Sequence, residues 1–458
     1  MSNFSLGDQF AEIIAPDRHD HHSLLKRLFD SARSGHLCLP LTEGEAPPVH
    51  PALHHWQDQL YLLRHWEVET TIVREVQRLL QMEGMEEALS LPSREMNEEQ
   101  LSAAQLSLTR PFTLIAGGPG TGKSFVIGQI VRMAEESGDH VVVAAPTGKA
   151  ASRLNIGAST LHSLLGIRSG RDLARGKRPL SADVVIVDEA SMIDAELFAS
   201  LLASIPDGCR LILVGDSEQL PPVGVGAPFA DLLGVVPTAL LTTPVRFDSP
   251  DIIELASQIR VGADITPFLS IGDPLEEALH HLPHPSVEWR EAAAALDRFR
   301  ILSPLREGPW GVNTLNRMLA ESQRAKLRPG MTLPVPILIK KTDIELGLVN
   351  GDTGILLDRI STPRVAIFGE REIPEAELPP YEIAYVLSVH KSQGSEFDEV
   401  LFLIPKGSER FGREILYTGV TRAKKKIRLM GDPETVQALL KNGGRRRSSI
   451  AERLYARR

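Results

Sequence analysis

The sequence predicts an α/β fold of two lobes, each a parallel sheet covered by helices, with a helical segment in front and a small β-rich insertion in the second lobe. Three observations carry this. The runs FTLIA, HVVVAA, DVVIVD and RLILVG follow one another after Glu95, separated by helical stretches, and their continuous apolarity suits strands buried on both faces. A second series repeats the pattern: FRILSP near Arg300, EIAYVLSV near Ile383, EVLFLIP near Leu401 and KIRLMG near Ile427. Finally, GGPGTGKS stands between the first strand and the first helix, where a sheet of this kind binds phosphate.

Taken in order, residues 1–94 read as a helical domain, with apolar residues at spacings of three and four in LYLLRHWEVETTIVREVQRLLQM, Leu60 to Met82. Its clustered histidines, His19, His21 and His22, then His50, His54 and His55, lack a cysteine partner or an H-E-x-x-H frame and read as solvated surface. The first lobe covers 95–295, its first helix running from Ser124 to about Ser137 with Gly138 as its stop. The second covers 296–333 and 381–458. Between its two parts, 334–380 contains strand-like VPILIKK and TGILLD among Gly/Asn/Asp turns, a small inserted β-domain of barrel-like type. The tail from Lys441 carries seven basic residues against Glu452 alone and reads as a solvated helix end in preference to a DNA contact.

Composition narrows the function classes. At about 150 residues per domain, 458 residues predict roughly three domains, which excludes a small binding module. A net charge of -9 makes the surface as a whole repel phosphate backbones, so any nucleic acid must enter a local basic channel. Two cysteines, Cys38 and Cys209, exclude a disulfide framework and a four-cysteine metal site. The start MSNFSLGDQF has neither a basic nor an apolar leader region, and no run of about 18 apolar residues occurs, so a cytoplasmic, non-membrane protein is expected.

The chemistry concentrates on nucleotide. In the phosphate loop of Gly117, Gly118, Pro119, Gly120, Thr121 and Gly122, the glycines Gly117, Gly120 and Gly122 let the backbone curl and point its N–H groups at phosphate oxygens, helped by the helix start. Lys123 is expected to reach the β/γ-phosphates of ATP, and Ser124 to hold Mg²⁺ through its hydroxyl. VDEAS closes the third strand. It offers Asp188 as the second metal-binding residue and Glu189 to position the attacking water. In GDSEQLPPVG after the fourth strand, Gln219 is the candidate γ-phosphate sensor, with an ordinary proline-rich turn as the alternative.

The ordered phrases GGPGTGKS, APTGKAASRL, STLHSLLG, VDEASMID, GDSEQLPPVG, SVHKSQGSEF and YTGVTRAKKK resemble the motifs of superfamily 1 helicases of the 5′→3′ branch. With LSPLREGPWGVNTLN, ELGLVNGDTGIL and QLYLLRHWEVE, the chain is most similar to the RecD family, alpha subunits of the exonuclease V (RecBCD) helicase-nuclease, over nearly its whole length. The resemblance implies two RecA-like P-loop NTPase lobes and an ATP-dependent single-strand DNA translocase without a nuclease site of its own. It also implies RecB-like (beta) and RecC-like (gamma) partners, with residues 1–94 docking on the gamma subunit. Residue by residue, it implies adenine recognition by Gln100, nucleotide contacts from Gly394 and Glu396, and γ-phosphate contacts from Arg246 and, from the opposite lobe, Arg422. It places DNA on Pro146, Thr147, Lys149, Thr160 and His162 in the first lobe and on His390, Lys391, Ser392 and Gln393 in the second. A buried, hydrogen-bonded His162 is the other reading of that residue. Val245 stands where the family has an aromatic residue, and the complex-bound form, without the long N-terminal extension of stand-alone RecD-like helicases, is expected.

Two other functions fit parts of this reading. An RNA helicase of the same superfamily would differ in its response to the 2′-hydroxyl, and a structural subunit with a vestigial motor would serve chiefly to dock partners.

Overall fold

A computed structural model describes residues 5–84, 95–154, 156–167, 179–245, 249–286 and 288–456. Three strands lie in the N-terminal segment: β1 (Cys38–Pro40), β2 (Leu53–Trp56) and β3 (Gln59–Leu62). They form an antiparallel sheet of order β1-β3-β2, so the segment expected to be helical is mixed. Leu60–Leu62, read from periodicity as helix, belongs to β3, because a turn at Gln57 (φ 52°) folds β2 and β3 into a hairpin. That hairpin buries Leu53 and Leu60 against Leu24, Leu25 and Leu28.

The helix proper is Leu63–Gln81. Its Ile72, Val73, Val76 and Leu79 join one apolar cluster with Phe198, Leu201 and Leu202, so it packs into the first lobe. His54 stacks on Trp66 at 3.9 Å between ring centres, which corrects its reading as solvated surface. His22, also read that way, is half-buried, its Nε2 bonded to the Ala15 carbonyl at 2.8 Å.

The first lobe is a six-stranded parallel sheet. Its strands are β4 (Phe112–Gly117), β5 (Val141–Ala145), β6 (Ser159–Thr160), β7 (Val184–Val187), β8 (Arg210–Gly215) and β9 (Thr238–Leu241), in the order β6-β5-β7-β8-β4-β9. Val184–Val187 and Leu211–Val214 are wholly buried, as their unbroken apolarity requires.

In the second lobe, β10 (Phe299–Ser303) is followed by an inserted sheet and then by the rest of the motor. The inserted strands are β11 (Leu333–Ile339), β12 (Thr353–Asp358), β13 (Val365–Phe368), β14 (Arg371–Pro374) and β15 (Tyr381–Ile383). The motor continues as β16 (Val386–Ser388), β17 (Phe397–Ile404) and β18 (Ala423–Gly431), giving a parallel sheet of order β16-β10-β17-β18. The insertion is antiparallel, of order β14-β13-β12-β11-β15. Its edge strands β14 and β15 are not paired with each other, so it is an open sheet and not a closed barrel.

EIAYVLSV, expected as one strand of the motor, divides between β15 of the insertion and β16 of the lobe. Asn316 fixes the crossing: its Nδ2 donates to the Val386 carbonyl and its Oδ1 accepts the Val386 N–H, both at 2.9 Å.

The basic tail is not a solvated end. The helix Ile450–Tyr455 packs beside Leu63–Gln81, and Arg453 is 7% exposed. Arg446 reaches the carbonyls of Gly224 and Gly226 in the first lobe, and the Leu37 N–H donates to the Arg447 carbonyl at 2.9 Å. The chain thus returns from the second lobe as a strap across the first. Among the described residues no helix is long and apolar enough to cross a membrane.

Candidate active site at the seam between the lobes

The C-terminal ends of β4, β7 and β8 carry the phosphate loop, Asp188–Glu189 and Asp216–Gln219. Burial of β4 on both faces fixes where the loop begins. Gly120 and Gly122 adopt φ of 72° and 85°, the left-handed turn that a Cβ disfavours, and the helix Lys123–Glu136 starts directly after. A Cβ on Gly117 would stand 2.8 Å from Thr121 Oγ1 and 2.9 Å from the Leu241 carbonyl, so the loop is closely cradled. Thr121 donates to the Gly118 carbonyl at 2.9 Å; Lys123 Nζ donates to the carbonyls of Gly117 (2.7 Å) and Gly118 (2.8 Å). Pro119 is half-buried within the loop and Ser124 is exposed at its end.

Gln100 supports this loop from behind. As the third residue of the helix Glu98–Thr109 it closes a capping box, its Oε1 accepting the Asn97 N–H at 3.2 Å. Its Nε2 donates to the Thr121 carbonyl at 3.2 Å, and the side chain is 2% exposed. The two ends of the amide expected to pair with adenine are therefore engaged by the protein itself.

Asp188 is 8% exposed and its Oδ1 accepts the Glu189 N–H at 2.8 Å. Burial first, and the Glu189 carboxylate second, raise its proton affinity, while that backbone bond and the Lys123 ammonium oppose the rise. Glu189 sits in the left-handed region (φ 51°), a strained conformation for a residue with a Cβ. Its Oε2 is buried without a hydrogen-bond partner, and so is Oε1 of Gln219. Two orphaned acceptors beside a phosphate loop suit groups that act on a bound nucleotide and its water.

The second lobe supplies less than expected. Arg422 is 3% exposed and its guanidinium donates within its own lobe, to Thr418 O (3.1 Å), Ser395 O (3.2 Å) and Thr421 Oγ1 (3.3 Å). Glu396, expected at the nucleotide, instead pairs with Arg153 of the first lobe (2.5 Å) and with Lys424 (3.7 Å). Burial pushes its carboxyl up, but Arg153, Arg422 and Lys424 together outweigh burial and leave it below its ordinary value. Gly394 (φ 70°) packs on the opposite lobe, where a Cβ would lie 3.5 Å from that of Ala150. Arg246 lies outside the described residues.

The residues expected on DNA divide similarly. Thr147 caps the helix Gly148–Arg153 by accepting the Ala150 N–H at 3.2 Å, with Pro146 half-buried before it. The Lys149 ammonium lies 6.0 Å from the Phe397 ring centre. Burial first and Arg300 second lower its pKa to about 8, against the pull of Asp352 and Asp297. Thr160 caps the helix Leu161–Leu164, accepting the Ser163 N–H at 3.2 Å, and His162 is exposed, which removes its buried reading. Lys391 pairs with Glu382 at 2.6 Å, and His390 is half-buried near Phe411. Ser392 is 0% exposed and donates to the Val389 carbonyl at 2.8 Å, so it faces inward and not toward a strand. Gln393 is buried with its Nε2 unpartnered.

Residues 95–271 match the AAA domain family and residues 383–430 the UvrD-like helicase C-terminal domain. The RecBCD enzyme subunit RecD of Mycolicibacterium smegmatis is 34% identical over 88% of this chain and 84% of that one. The chain belongs to the RecD family. The family's Haemophilus influenzae member is 28% identical over 86% of this chain and 80% of its own. The ATP-dependent RecD2 DNA helicase of Deinococcus radiodurans is 31% identical, covering 79% of this chain but 53% of that protein. Among solved structures, the Pif1 helicase from Candida albicans aligns with a TM-score of 0.48 at 19% identity, over 79% of this chain and 98% of that one.

As a RecD-family helicase the chain uses ATP. Sequence reasoning passed over Asp216 and Tyr417, although both stand inside quoted motifs. Tyr417 Oη donates to Asp216 Oδ2 at 3.1 Å across the seam. An aromatic hydroxyl opening YTGVTRAKKK and an acid opening DSEQ were the available signals.

Proposed function

We propose that this chain is the ATP-driven 5′→3′ single-strand DNA translocase and helicase subunit of a RecBCD-type exonuclease V, working in the cytoplasm on DNA ends in double-strand break repair and recombination. The observation that carries the chemistry is the placement of two unpartnered buried acceptors, Glu189 Oε2 and Gln219 Oε1, beside the phosphate loop. Lys123 leaves the Gly117 and Gly118 carbonyls to hold the β/γ-phosphates of ATP. Glu189 and Gln219 orient the attacking water, with Glu189 accepting its proton. Ser124 and Asp188 would hold Mg²⁺, which neutralises charge on the transferring phosphoryl group. Arg422 of the second lobe exchanges its bonds to Thr418 and Ser395 for the γ-phosphate when the cleft closes, and Arg246 joins it from the first lobe.

DNA runs along Thr147, Lys149, Thr160 and His162, then His390 and Lys391. The salt bridge between Arg153 and Glu396 transmits closure between the two halves of that track. The RecD relatives support RecB-like and RecC-like partners, the polarity is the one that the resemblance of the motifs implies, and the N-terminal segment is the docking face.

The test is ATP hydrolysis by the full chain with single-stranded DNA or RNA across a salt series, with Lys123→Ala as control. The reading requires strong DNA stimulation that weakens with salt as phosphate contacts are lost, and near-loss of turnover in the variant. Unwinding of duplexes tailed at one end then reports polarity, with a 3′-tail preference counting against it. RNA stimulation exceeding that by DNA would overturn the substrate.

A further inference from the structure

Gln219, read as the γ-phosphate sensor, shares a carboxylate with a group from the other lobe. Gln219 Nε2 donates to Asp216 Oδ2 at 3.2 Å, and that same oxygen accepts the Tyr417 hydroxyl at 3.1 Å. Asp216 Oδ1 accepts the Glu218 N–H at 3.1 Å, so the carboxylate organises its own turn. Asp216 is 2% and Tyr417 5% exposed, which shields the chain of bonds from competing water. Burial, and then the Asp216 charge, push the Tyr417 phenol far above its ordinary range, so it stays protonated and donates.

Tyr417 and its neighbour Thr418 lie on the second-lobe helix Arg413–Val420. Thr418 Oγ1 accepts the Leu220 N–H at 2.9 Å, so this helix grips the first-lobe turn on both sides of Gln219. The Tyr417 hydroxyl also lies 3.2 Å from where a Cβ on Gly118 would stand, against the phosphate loop itself.

We propose that Tyr417 is a positioning residue for ATP hydrolysis: its hydroxyl holds Asp216, Asp216 holds the Gln219 amide, and apposition of the two lobes thereby completes the γ-phosphate sensor. The inference rests on reading Gln219 as that sensor. Its physical content is that a carboxylate shared by two donors has one orientation, whereas with the tyrosine donor withdrawn Asp216 and the amide it orders can rotate. Gln219 Oε1, unpartnered and buried, then loses its fixed aim. Separating the lobes beyond the spacing seen here would break the Tyr417 bond, so a motor opened that far would not hydrolyse ATP effectively.

The experiment is a double-mutant cycle on the full chain with Tyr417→Phe, Gln219→Ala and the pair. It reads DNA-stimulated kcat, KM for ATP, and affinity for ADP–aluminium fluoride relative to ADP. Phenylalanine keeps the ring in its apolar cluster and removes only the hydroxyl.

Tyr417→Phe is expected to lower kcat about tenfold, the loss of one hydrogen bond to a charged group. The analogue's advantage over ADP should fall by a similar factor, while KM and melting temperature change little. In the Gln219→Ala background the same change should have no further effect. Equal losses in both backgrounds, or a kcat within twofold of wild type for Tyr417→Phe alone, would overturn the inference and leave the sensor reading intact. Unchanged turnover in Gln219→Ala would overturn the sensor reading, and the inference with it.

Discussion

Arg453 and Glu69, 384 positions apart, form a buried ion pair with Nη1 3.1 Å from Oε1. Glu69 is 0% exposed and also accepts the Ser449 N–H and the Tyr61 hydroxyl, each at 3.2 Å. Burial raises its proton affinity, and the bonds from Ser449, Arg453 and Tyr61 oppose that rise. The Arg453 guanidinium lies 3.8 Å from the Trp66 ring centre, and its Nη2 donates to Thr70 Oγ1 at 2.8 Å. The end of the chain is thereby locked to the N-terminal segment, which is also the proposed docking face.

Arg453→Ala leaves Glu69 as an uncompensated buried carboxylate. The expected cost is about 3–5 kcal/mol, seen as a lower melting temperature in differential scanning calorimetry. Adding Glu69→Gln should recover part of the loss, because the orphaned charge is then gone. A single variant as stable as wild type would show that the strap does not depend on the pair.

The strap is also pH-sensitive through Asp231, whose carboxylate accepts the Ser448 hydroxyl at 2.7 Å. Burial raises its pKa to about 7. Because the folded value exceeds the unfolded one, near 3.9, this group's stabilisation is complete below pH 4 and is lost as pH rises through about 7. Asp231→Asn should therefore raise the melting temperature at pH 8 by roughly 1–3 °C and leave it little changed at pH 4. Equal shifts at both pH values would contradict the assignment.

Glu189→Gln keeps the shape of the strained turn and removes the base. Turnover should fall about 10²- to 10⁴-fold with ATP affinity retained, measured by single-turnover hydrolysis and by equilibrium nucleotide binding. A parallel loss of binding would mean that Glu189 serves the pocket's structure and not its chemistry.

Lys149 gives the proposed DNA track its own pH signature. With its pKa lowered to about 8, it is cationic at pH 7 and loses its charge through the next pH units. Affinity for single-stranded DNA should fall several-fold between pH 7 and pH 9, by fluorescence anisotropy at fixed salt. Lys149→Arg, which stays charged, should flatten that dependence. An identical slope in the variant would remove Lys149 from the track.

Much of the site was legible in the sequence because the relevant chemistry is contiguous. The strand, glycine-rich turn and helix that make the phosphate loop span neighbours from Phe112 to Glu136, and the acid pair follows its strand without a gap. Side-chain direction was not legible. Gln100 and Ser392 have the residue types expected of ligand contacts, yet the first is spent on its own helix cap and the second on the Val389 carbonyl. Likewise, the spacing of apolar residues from Leu60 onward suits a helix, but pairing with β2 outweighs that local preference for Leu60–Leu62.

The sequence by itself determined the α/β class, the two parallel sheets, the inserted β-rich segment and the nucleotide chemistry, since each is written in short-range pattern and residue type. Only the tertiary structure decided which distant groups meet: Tyr417 with Asp216, 201 positions apart, and the basic tail with the N-terminal segment. The physical reason is that such contacts depend on how whole sheets and helices pack. A buried bond between residues hundreds of positions apart leaves no periodicity in either neighbourhood.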